Sequence, residues 1–229
     1  MIEGKLSLKL VMNLVNVKAS EFICDVITLF EGVGRVVSFD KLAESSALIR
    51  IGAVDLVLIG GSGGVVRVEF IMDNVKPLSR FNDLLNTFKK LLSLLPSGGE
   101  TLKNLELISS YETYIPLTNT PDYKSANISK VLSGFGISVN EVNFESLDGA
   151  GLLTASGTYV VGGLGAVKII HTTLSRNYAV RSSLTMSKNV SISDINDQTI
   201  KKLLYETQIL FQVVNEELFN SSYIKFIYK

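Results

Sequence analysis

Residues 158–170 read TYVVGGLGAVKII, and residues 56–68, which lie 102 positions earlier in the chain, read LVLIGGSGGVVRV. The two stretches align without a gap, and a pair of glycines, a third glycine and a valine fall on their counterparts. The same offset places both glycines of LFEGVG on those of VLSGFG. Self-similarity at a fixed offset indicates a repeated structural unit. The sequence therefore predicts two copies of one unit, the first in residues 1–96 and the second in residues 97–229.

Composition indicates a globular chain of balanced charge. Of its 229 residues, 46% are hydrophobic and 19% are charged, which is typical of a chain that folds around a core. Lysine plus arginine and aspartate plus glutamate number 22 each. Neither predicted unit carries an excess of more than one charge, so net charge would not steer a polyanion to either. We therefore do not expect a nucleic acid as the partner.

One cysteine and the hydropathy pattern bear on the compartment. Cys24 lies in the apolar helical pattern EFICDVITLF, which predicts a buried thiol. A single cysteine allows no intramolecular disulfide, so we expect a reducing, cytoplasmic environment. The N-terminus lacks the basic-then-apolar order of a signal peptide. Residues 149–167 carry no charge but contain six glycines, so they are interpreted as strands and turns, with no membrane span.

The first predicted unit begins with a strand at residues 6–14, where leucines and a methionine alternate with polar residues. A helix over residues 19–31 follows, with Gly32 as its stop. Four strand-like runs come next: 35–39, 47–53, 56–59 and 65–72. The last two are joined by a glycine turn. A second helix opens at Pro77, presents apolar residues at three-and-four spacing and ends before residues 96–99.

The second predicted unit repeats this order. Its parts are a strand at 105–115, a short helix capped by residues 120–122, strand-like runs at 138–144, 151–155, 158–161 and 167–174, a long helix at 194–219 and a closing strand at 223–228. An alternating run at 178–186 predicts an extra strand that the first unit lacks. We therefore predict an α+β fold of two tandem β-α-β(4)-α units, whose curved antiparallel sheets pack on long helices.

This element order is similar to the duplicated unit of TATA-binding proteins, and LLTASG (residues 152–157), followed by VV, resembles the strand-turn-strand signature of that family. The order also resembles the helix-grip fold of START-like proteins. Residues 1–8, MIEGKLSL, resemble the opening strand of those proteins. The second resemblance implies a hydrophobic ligand held between sheet and C-terminal helix. The first implies a saddle that binds nucleic acid. Thr154 and Gly52 stand where the TATA-binding family has aromatic DNA wedges, which argues against DNA binding.

No pattern of reactive side chains predicts catalysis. The glycine runs are followed by valine-rich strands, whereas a phosphate loop needs a helix behind it, so both are interpreted as hairpin turns. His171 is the only histidine, and with a single cysteine it cannot build a typical zinc site. We therefore expect no catalytic residue, metal or cofactor, and we favour a non-enzymatic binding protein.

Tyrosine use distinguishes the two predicted units. All eight tyrosines lie in residues 97–229, and a tyrosine offers an apolar body with a polar tip that suits a pocket wall. The predicted ligand-binding residues are Tyr159, His171, Tyr178, Leu184, Met186 and Leu210. Drift and exposed strand faces are the alternative explanation of the tyrosines. A third hypothesis is an assembly module, in which edge strands at Leu6 and Tyr223 pair between chains as a homo-oligomer.

Overall fold

A computed structural model describes residues 4–40, 45–75, 81–95, 101–116, 125–147, 150–159, 165–174 and 179–219. Along the first half of the chain the order is strand, helix, four strands, helix. The elements are β1 (Lys5–Leu14), α1 (Ala19–Leu29), β2 (Arg35–Asp40), β3 (Ser46–Ile51), β4 (Val54–Gly61), β5 (Val65–Met72) and α2 (Phe81–Leu92). Pro77 and residues 96–99, which were predicted to open and follow α2, lie outside the described residues.

The second half follows with β6 (Leu102–Pro116), α3 (Ser125–Gly134), β7 (Ile137–Leu147), β8 (Ala150–Tyr159), β9 (Gly165–Leu174), β10 (Ala179–Asn189) and α4 (Asp197–Phe219). A short 3-10 turn, Ile192–Asp194, precedes α4. The Asn196 side-chain carbonyl accepts the backbone N–H of Thr199 at 2.9 Å and so caps the start of α4. The predicted α+β class is confirmed.

The extra strand predicted in the second half is β10, but it is not an addition in number. Among the described residues, four strands lie between α3 and α4, as many as between α1 and α2. The predicted runs 151–155 and 158–161 begin within a single strand, β8. Gly157, interpreted as part of a break between them, lies inside β8 and pairs with Val139 and Val167. The predicted closing strand at 223–228 lies outside the described residues.

Ten strands form one sheet in the order β2-β3-β4-β5-β1-β6-β10-β9-β8-β7. The pairs within β2–β5, the pair of β1 with β5, and the pairs within β7–β10 are antiparallel. The strand at Leu6 lies between two neighbours and is no edge, which corrects the prediction that it could pair between chains. The described strands at the ends of the order are β2 and β7.

The chain divides into two compact units. We call Ser7–Ile108 with Asn189–Lys201 unit A, and Met1–Leu6 with Ser109–Lys188 and Lys202–Lys229 unit B. Strand β6 runs from one into the other, since its first part belongs to unit A and its second part to unit B. The division predicted at residue 96 from the sequence stays a prediction.

Unit A has an apolar core between its strands and its helices. One face of β1 is fully buried through Leu8, Leu10, Met12 and Leu14, as the alternation predicted. Helix α2 buries Phe81, Leu84, Leu85, Phe88 and Leu91. The rings of Phe70 on β5 and Phe88 on α2 meet edge to face, with their centroids 5.7 Å apart. These contacts confirm the predicted inward faces of β1 and α2.

The cysteine prediction was wrong. Cys24 is exposed on α1, whose buried residues are Phe22, Ile23 and Val26. In an α-helix these three residues form one stripe, and position 24 points to the opposite side. The prediction relied on the apolar character of the surrounding sequence and did not consider on which side of the helix position 24 lies.

Two glycines of the first glycine-rich run build the turn between β4 and β5. Gly63 and Gly64 have φ angles of 74° and 73°, a left-handed conformation that glycine adopts without steric cost. Gly61 pairs with Val65 across the hairpin, which confirms the hairpin prediction for this stretch. The corresponding run after β8 spans residues 161–164, outside the described residues, and Gly165 opens β9 with a φ of 82°.

Candidate ligand site in unit B

The inward face of unit B's strands follows their alternation. On β10 the buried residues are Val180, Ser182, Leu184 and Met186. On β9 they are Val167, Ile169 and His171, and on β8 they are Leu153 and Ala155. Ile170 is only half-buried, so of the two neighbours His171 is the one that points inward.

Antiparallel register arranges these residues in rows across the sheet. His171 pairs with Ser182 on one side and with Leu153 on the other. In the next row along the strands, Ile169 pairs with Leu184 and with Ala155. Three of the predicted site residues, His171, Leu184 and Met186, therefore share one face of two neighbouring strands.

Helix α4 covers this face. Its buried residues in unit B are Leu203, Leu204, Thr207, Leu210, Phe211, Val214 and Asn215. The side-chain carbonyl of Asn215 accepts a hydrogen bond from the Ser182 hydroxyl at 2.9 Å. The Phe211 ring lies 4.7 Å, centroid to centroid, from the ring of Tyr111 on β6. The predicted residue Leu210 is 6% exposed and lies on the covering face of this helix.

Strand β6 brings hydroxyl groups into the same layer. Ser109, Tyr111 and Thr113 alternate along its buried face. The side-chain oxygens of Ser109 and Thr113 are buried and have no hydrogen-bond partner among the described residues. On the opposite face, Arg181 of β10 and Glu112 of β6 form a two-pronged ion pair at 2.8 and 2.9 Å. This pair sets the two strands side by side, so that the hydroxyl row of β6 adjoins the inward face of β10.

Buried polarity separates unit B from unit A. Among the described residues of unit A, the buried polar side chains are Glu69 and Thr87. The Thr87 hydroxyl donates to the backbone carbonyl of Asp83 at 2.7 Å, and Glu69 lies on the sheet face away from the helices. In unit B six are buried: Ser109, Thr113, His171, Ser182, Thr207 and Asn215. Among the described residues, the layer between sheet and helix is therefore polar at several points in unit B, and at Thr87 in unit A.

His171 is uncharged at neutral pH. Burial lowers the pKa of its imidazole to about 3, because the charged form loses its hydration. Among the described residues of unit B, no lysine, arginine, aspartate or glutamate is fully buried. The inward layer therefore offers hydroxyl, amide and neutral imidazole groups. A charged group is buried only in part, at Glu206 of α4, one of whose carboxylate oxygens is buried without a hydrogen-bond partner among the described residues.

The other predicted residues have different positions. Tyr159 is half-buried at the end of β8, where it pairs with Ile137 and Gly165. Tyr178 lies outside the described residues. Of the remaining described tyrosines, Tyr114 and Tyr205 are 47% and 58% exposed, and Tyr111 is buried. The tyrosine argument therefore identifies one inward residue that was not among the predicted site residues.

Sequence reasoning missed Ser109, Thr113, Ser182 and Asn215. The signal was present for three of them, since Ser182 shares its phase with Val180 and Leu184, and Ser109 and Thr113 share theirs with Leu107 and Ile115. Alternation was used to find apolar inward residues, so polar residues in the same phase were passed over. Asn215 lies four residues after Phe211 on α4, which places both on one helix face.

On the outer sheet face, arginines lie beside acids. Arg50 forms an ion pair with Asp55 at 2.6 Å, and Glu69 contacts both Lys9 and Arg67 at 2.6 Å. Burial by itself would raise the pKa of Glu69, but hydrogen bonds and charges from its two basic partners lower it below the ordinary value. The charges of Lys9, Arg50 and Arg67 are therefore largely balanced by the neighbouring carboxylates.

Two further kinds of feature are absent from the residues that the structure describes. No group of three histidine, cysteine, aspartate or glutamate side chains comes together there as a metal ion would require. None of the helices found there has both the length and the apolar character that crossing a membrane demands.

No protein-family model and no curated protein matches the chain. Among solved structures it is similar to the di-domain ARO/CYC protein StfQ of the steffimycin biosynthetic pathway, at 9% identity and a TM-score of 0.27 over 92% of this chain and 96% of that one. The di-domain ARO/CYC protein BexL of the BE-7585A pathway gives 10% identity and a TM-score of 0.23 over 92% and 98% of the two chains. The aspartate kinase of Clostridium acetobutylicum gives 10% and 0.24, over 89% of this chain and 33% of the kinase. With TM-scores this low, no property of these proteins is transferred to this chain.

Proposed function

We propose that this chain is a non-enzymatic binding protein that holds a small amphipathic molecule between the strands and helix α4 of unit B. The observation that carries the proposal is the pair of buried hydroxyls of Ser109 and Thr113, which have no hydrogen-bond partner among the described residues. Leaving a buried hydroxyl unpaired costs about 1–3 kcal/mol, so such groups need a reason. A bound molecule with its own hydrogen-bonding group is that reason.

The surrounding side chains define the chemistry of the ligand. Its body contacts Leu184, Met186 and Leu210, so it is largely apolar. Its polar part is a carbonyl or hydroxyl and not an anion, because among the described residues of unit B no lysine or arginine is buried that would balance a negative charge. His171 and Tyr159 border the same layer, and we retain them, with Tyr178, as proposed ligand-binding residues. This arrangement corresponds to the START-like, helix-grip hypothesis.

We also propose that the fold arose by internal duplication. The order strand, helix, four strands, helix occurs twice. Within the sheet, the run β2-β3-β4-β5-β1 corresponds to β7-β8-β9-β10-β6. In this correspondence hairpin β4–β5 matches β9–β10, whereas the glycine-rich sequence similarity matches it to β8–β9. The order of the strands in the sheet therefore supports a duplication. The sequence similarity at an offset of 102 residues does not follow the same correspondence, because it matches each strand to the one that precedes its topological counterpart.

The nucleic-acid hypothesis has less support. A saddle that binds a polyanion needs basic side chains that are free to contact phosphates. On the outer face, Arg50, Arg67 and Arg181 each lie against a carboxylate. A ligand phosphate would have to compete with these acids, so we place nucleic-acid binding second.

Native mass spectrometry of freshly purified protein tests the binding proposal, together with titration by Nile red, a neutral apolar dye. We expect a bound small molecule, or saturable dye binding. Thr113→Val removes one unpaired hydroxyl at nearly constant shape, so dye or ligand binding should weaken while stability is kept or increased. The matched variant Thr87→Val removes a bonded hydroxyl in unit A, so it should lower stability and leave binding unchanged.

The same pair of variants can overturn the proposal. If the protein carries no ligand and binds no dye, unit B is a solid core and the binding function is wrong. The proposal is equally wrong if Thr113→Val lowers stability as Thr87→Val does and leaves binding untouched, because the hydroxyl then has a structural role.

A further inference from the structure

The two unpaired hydroxyls of β6 belong to Ser109 and Thr113, which lie four positions apart on one strand. Ser109 is fully buried and Thr113 is 6% exposed. A strand rises by about 3.3 Å per residue, so the Cα atoms of these two residues lie about 13 Å apart. Both side chains are short and lie on the same face of the strand, so their oxygen atoms are separated by a similar distance.

This separation is too large for one polar group to bind both hydroxyls. A hydrogen bond to a hydroxyl spans about 3 Å, so two hydroxyls that share one partner atom lie at most about 6 Å apart. Neither Ser109 nor Thr113 has a partner among the described residues. Each of the two hydroxyls therefore needs a partner of its own, since each one carries a separate desolvation cost while it is unpaired.

Tyr111 lies between these two residues on the same face of β6, and its ring is turned to one side. A side chain at Gly4, which directly precedes β1, would collide with the ring and the hydroxyl of Tyr111, so the tyrosine lies across this glycine. The two neighbours of β6 in the sheet are β1 and β10. The tyrosine ring therefore leans towards β1, and the path from Ser109 to Thr113 runs along its β10 side.

The inward face of β10 along this path is mainly apolar. Val180, Leu184 and Met186 are buried there. Ser182 shares their face, but its hydroxyl already donates a hydrogen bond to the Asn215 side chain at 2.9 Å. A molecule that lies along this path therefore contacts hydrocarbon between its two ends and meets an unpaired hydroxyl at each end.

We propose that the ligand of unit B is bipolar, with an elongated apolar body and a hydroxyl or carbonyl group at each end, about 13 Å apart. One end forms a hydrogen bond with Ser109 and the other with Thr113. This inference rests on the proposed function and makes the chemistry of the ligand more specific. A molecule with one polar group would leave one of the two hydroxyls unpaired, as would a molecule whose two polar groups lie close together.

Isothermal titration calorimetry with straight-chain alcohols and diols tests the proposal. At six, ten and fourteen carbons, the dissociation constant of the α,ω-diol is compared with that of the 1-alkanol of the same length, which cancels the contribution of the apolar chain. The extended ten-carbon diol is close in length to the separation of the hydroxyls. It should bind about tenfold more tightly than its alcohol, since it gains a second hydrogen bond. The shorter and longer diols should show a smaller advantage.

Two variants check the partners of the diol. Ser109→Ala and Thr113→Val each remove one hydroxyl at nearly constant shape. Either change should abolish or reverse the advantage of the ten-carbon diol, because the diol then buries a hydroxyl that has no partner. Thr185→Val makes the same chemical change on the opposite face of β10, where Thr185 is half-buried, and should leave the advantage unchanged. Thermal melts of all three variants establish that they are folded.

The outcomes separate this inference from the proposed function. If the ten-carbon diol and its alcohol both bind but with equal affinity, the bipolar ligand is wrong and the proposed function stands. The same holds if the advantage survives Ser109→Ala or Thr113→Val, because the second polar group of the diol then has a different partner. If no diol, alcohol or Nile red binds, the proposed function fails and this inference fails with it.

Discussion

The hydroxyl of Ser182 on β10 donates a hydrogen bond of 2.9 Å to the side-chain carbonyl of Asn215 on α4, and both side chains are buried. The same asparagine donates its N–H group to the backbone carbonyl of Phe211 at 2.7 Å. The Asn215 side chain is thus hydrogen-bonded both to its own helix and to the sheet. A polar link of this kind fixes where α4 lies on β10, which apolar contacts alone do with less specificity.

Ser182→Ala should destabilise the protein by about 1–3 kcal/mol, because it leaves the Asn215 carbonyl buried without its donor. Ser183→Ala is the matched control, since Ser183 is half-buried on the opposite face of the same strand, and it should change stability by about 0.5 kcal/mol or less. Urea unfolding measures both. Equal losses in the two variants would show that the hydrogen bond contributes nothing specific.

Protonation of His171 should weaken the fold in acid. Its folded pKa of about 3 lies below the ordinary 6.5, so between these values the unfolded chain binds a proton that the folded chain does not. Stability should therefore fall as the pH drops from about 6.5 towards 3, by up to about 1.4 kcal/mol per pH unit from this residue. His171→Gln should remove this contribution, because the chain has one histidine. The melting temperatures of the wild type and of His171→Gln are measured from pH 7 to pH 4. The wild type should lose more of its melting temperature than the variant as the pH falls, and two parallel curves would contradict the prediction.

Gly60→Ala should destabilise unit A by about 1–3 kcal/mol. A Cβ at this position would lie 2.6 Å from the Cβ of Ala19 on α1 and 3.0 Å from the backbone oxygen of Ser45. Gly61→Ala is the neighbouring control, since its Cβ would have its nearest contact at 3.7 Å, with the oxygen of Val65. Adding Ala19→Gly to Gly60→Ala should recover part of the loss. Chemical denaturation of the four proteins decides whether the close approach of α1 is the cause.

Leu210→Ala should cost about 2–5 kcal/mol, because Leu210 is 6% exposed on the covering face of α4. Ile209→Ala changes the adjacent residue, which is 36% exposed, and should cost far less. The free energies of unfolding measured in urea give the comparison. If the two losses were reversed, the covering face of α4 would be assigned to the wrong side of the helix.

Alternation and helical spacing were enough to predict the class of the fold. The alternating apolar residues of β1 and the stripe on α2 are buried as predicted, since their burial is a property of local geometry. The division of β8 failed because Gly157 was interpreted as a turn. The structure gives another reason for this glycine: a Cβ would lie 2.6 Å from both the Ile137 side chain and the Ser138 oxygen. A tertiary approach of this kind leaves no periodic signal.

The candidate site was predictable only in its apolar part. Leu184, Met186 and Leu210 follow the alternation and the helical stripe, and they lie on the inward faces. Ser182 and Asn215 are buried because each satisfies the other across a distance of 33 positions in the chain. Such a pairing leaves no local pattern in the sequence. Both residues are polar, so the sequence alone predicts that they are exposed. Edge position is equally nonlocal, which is why Leu6 was expected at an edge and β2 was not.

The division of β6 between the units has a consequence for synthesis on the ribosome. Unit A needs Leu102–Ile108 and also Asn189–Lys201, whose Val190 N–H donates to the Leu105 carbonyl at 2.9 Å. The strands β7, β8, β9 and β10 are all made between these two segments. The first unit in the chain therefore cannot be completed first. A nascent chain stalled after β5 presents β1 with one neighbour and a bare edge, which is when chaperone capture should be strongest.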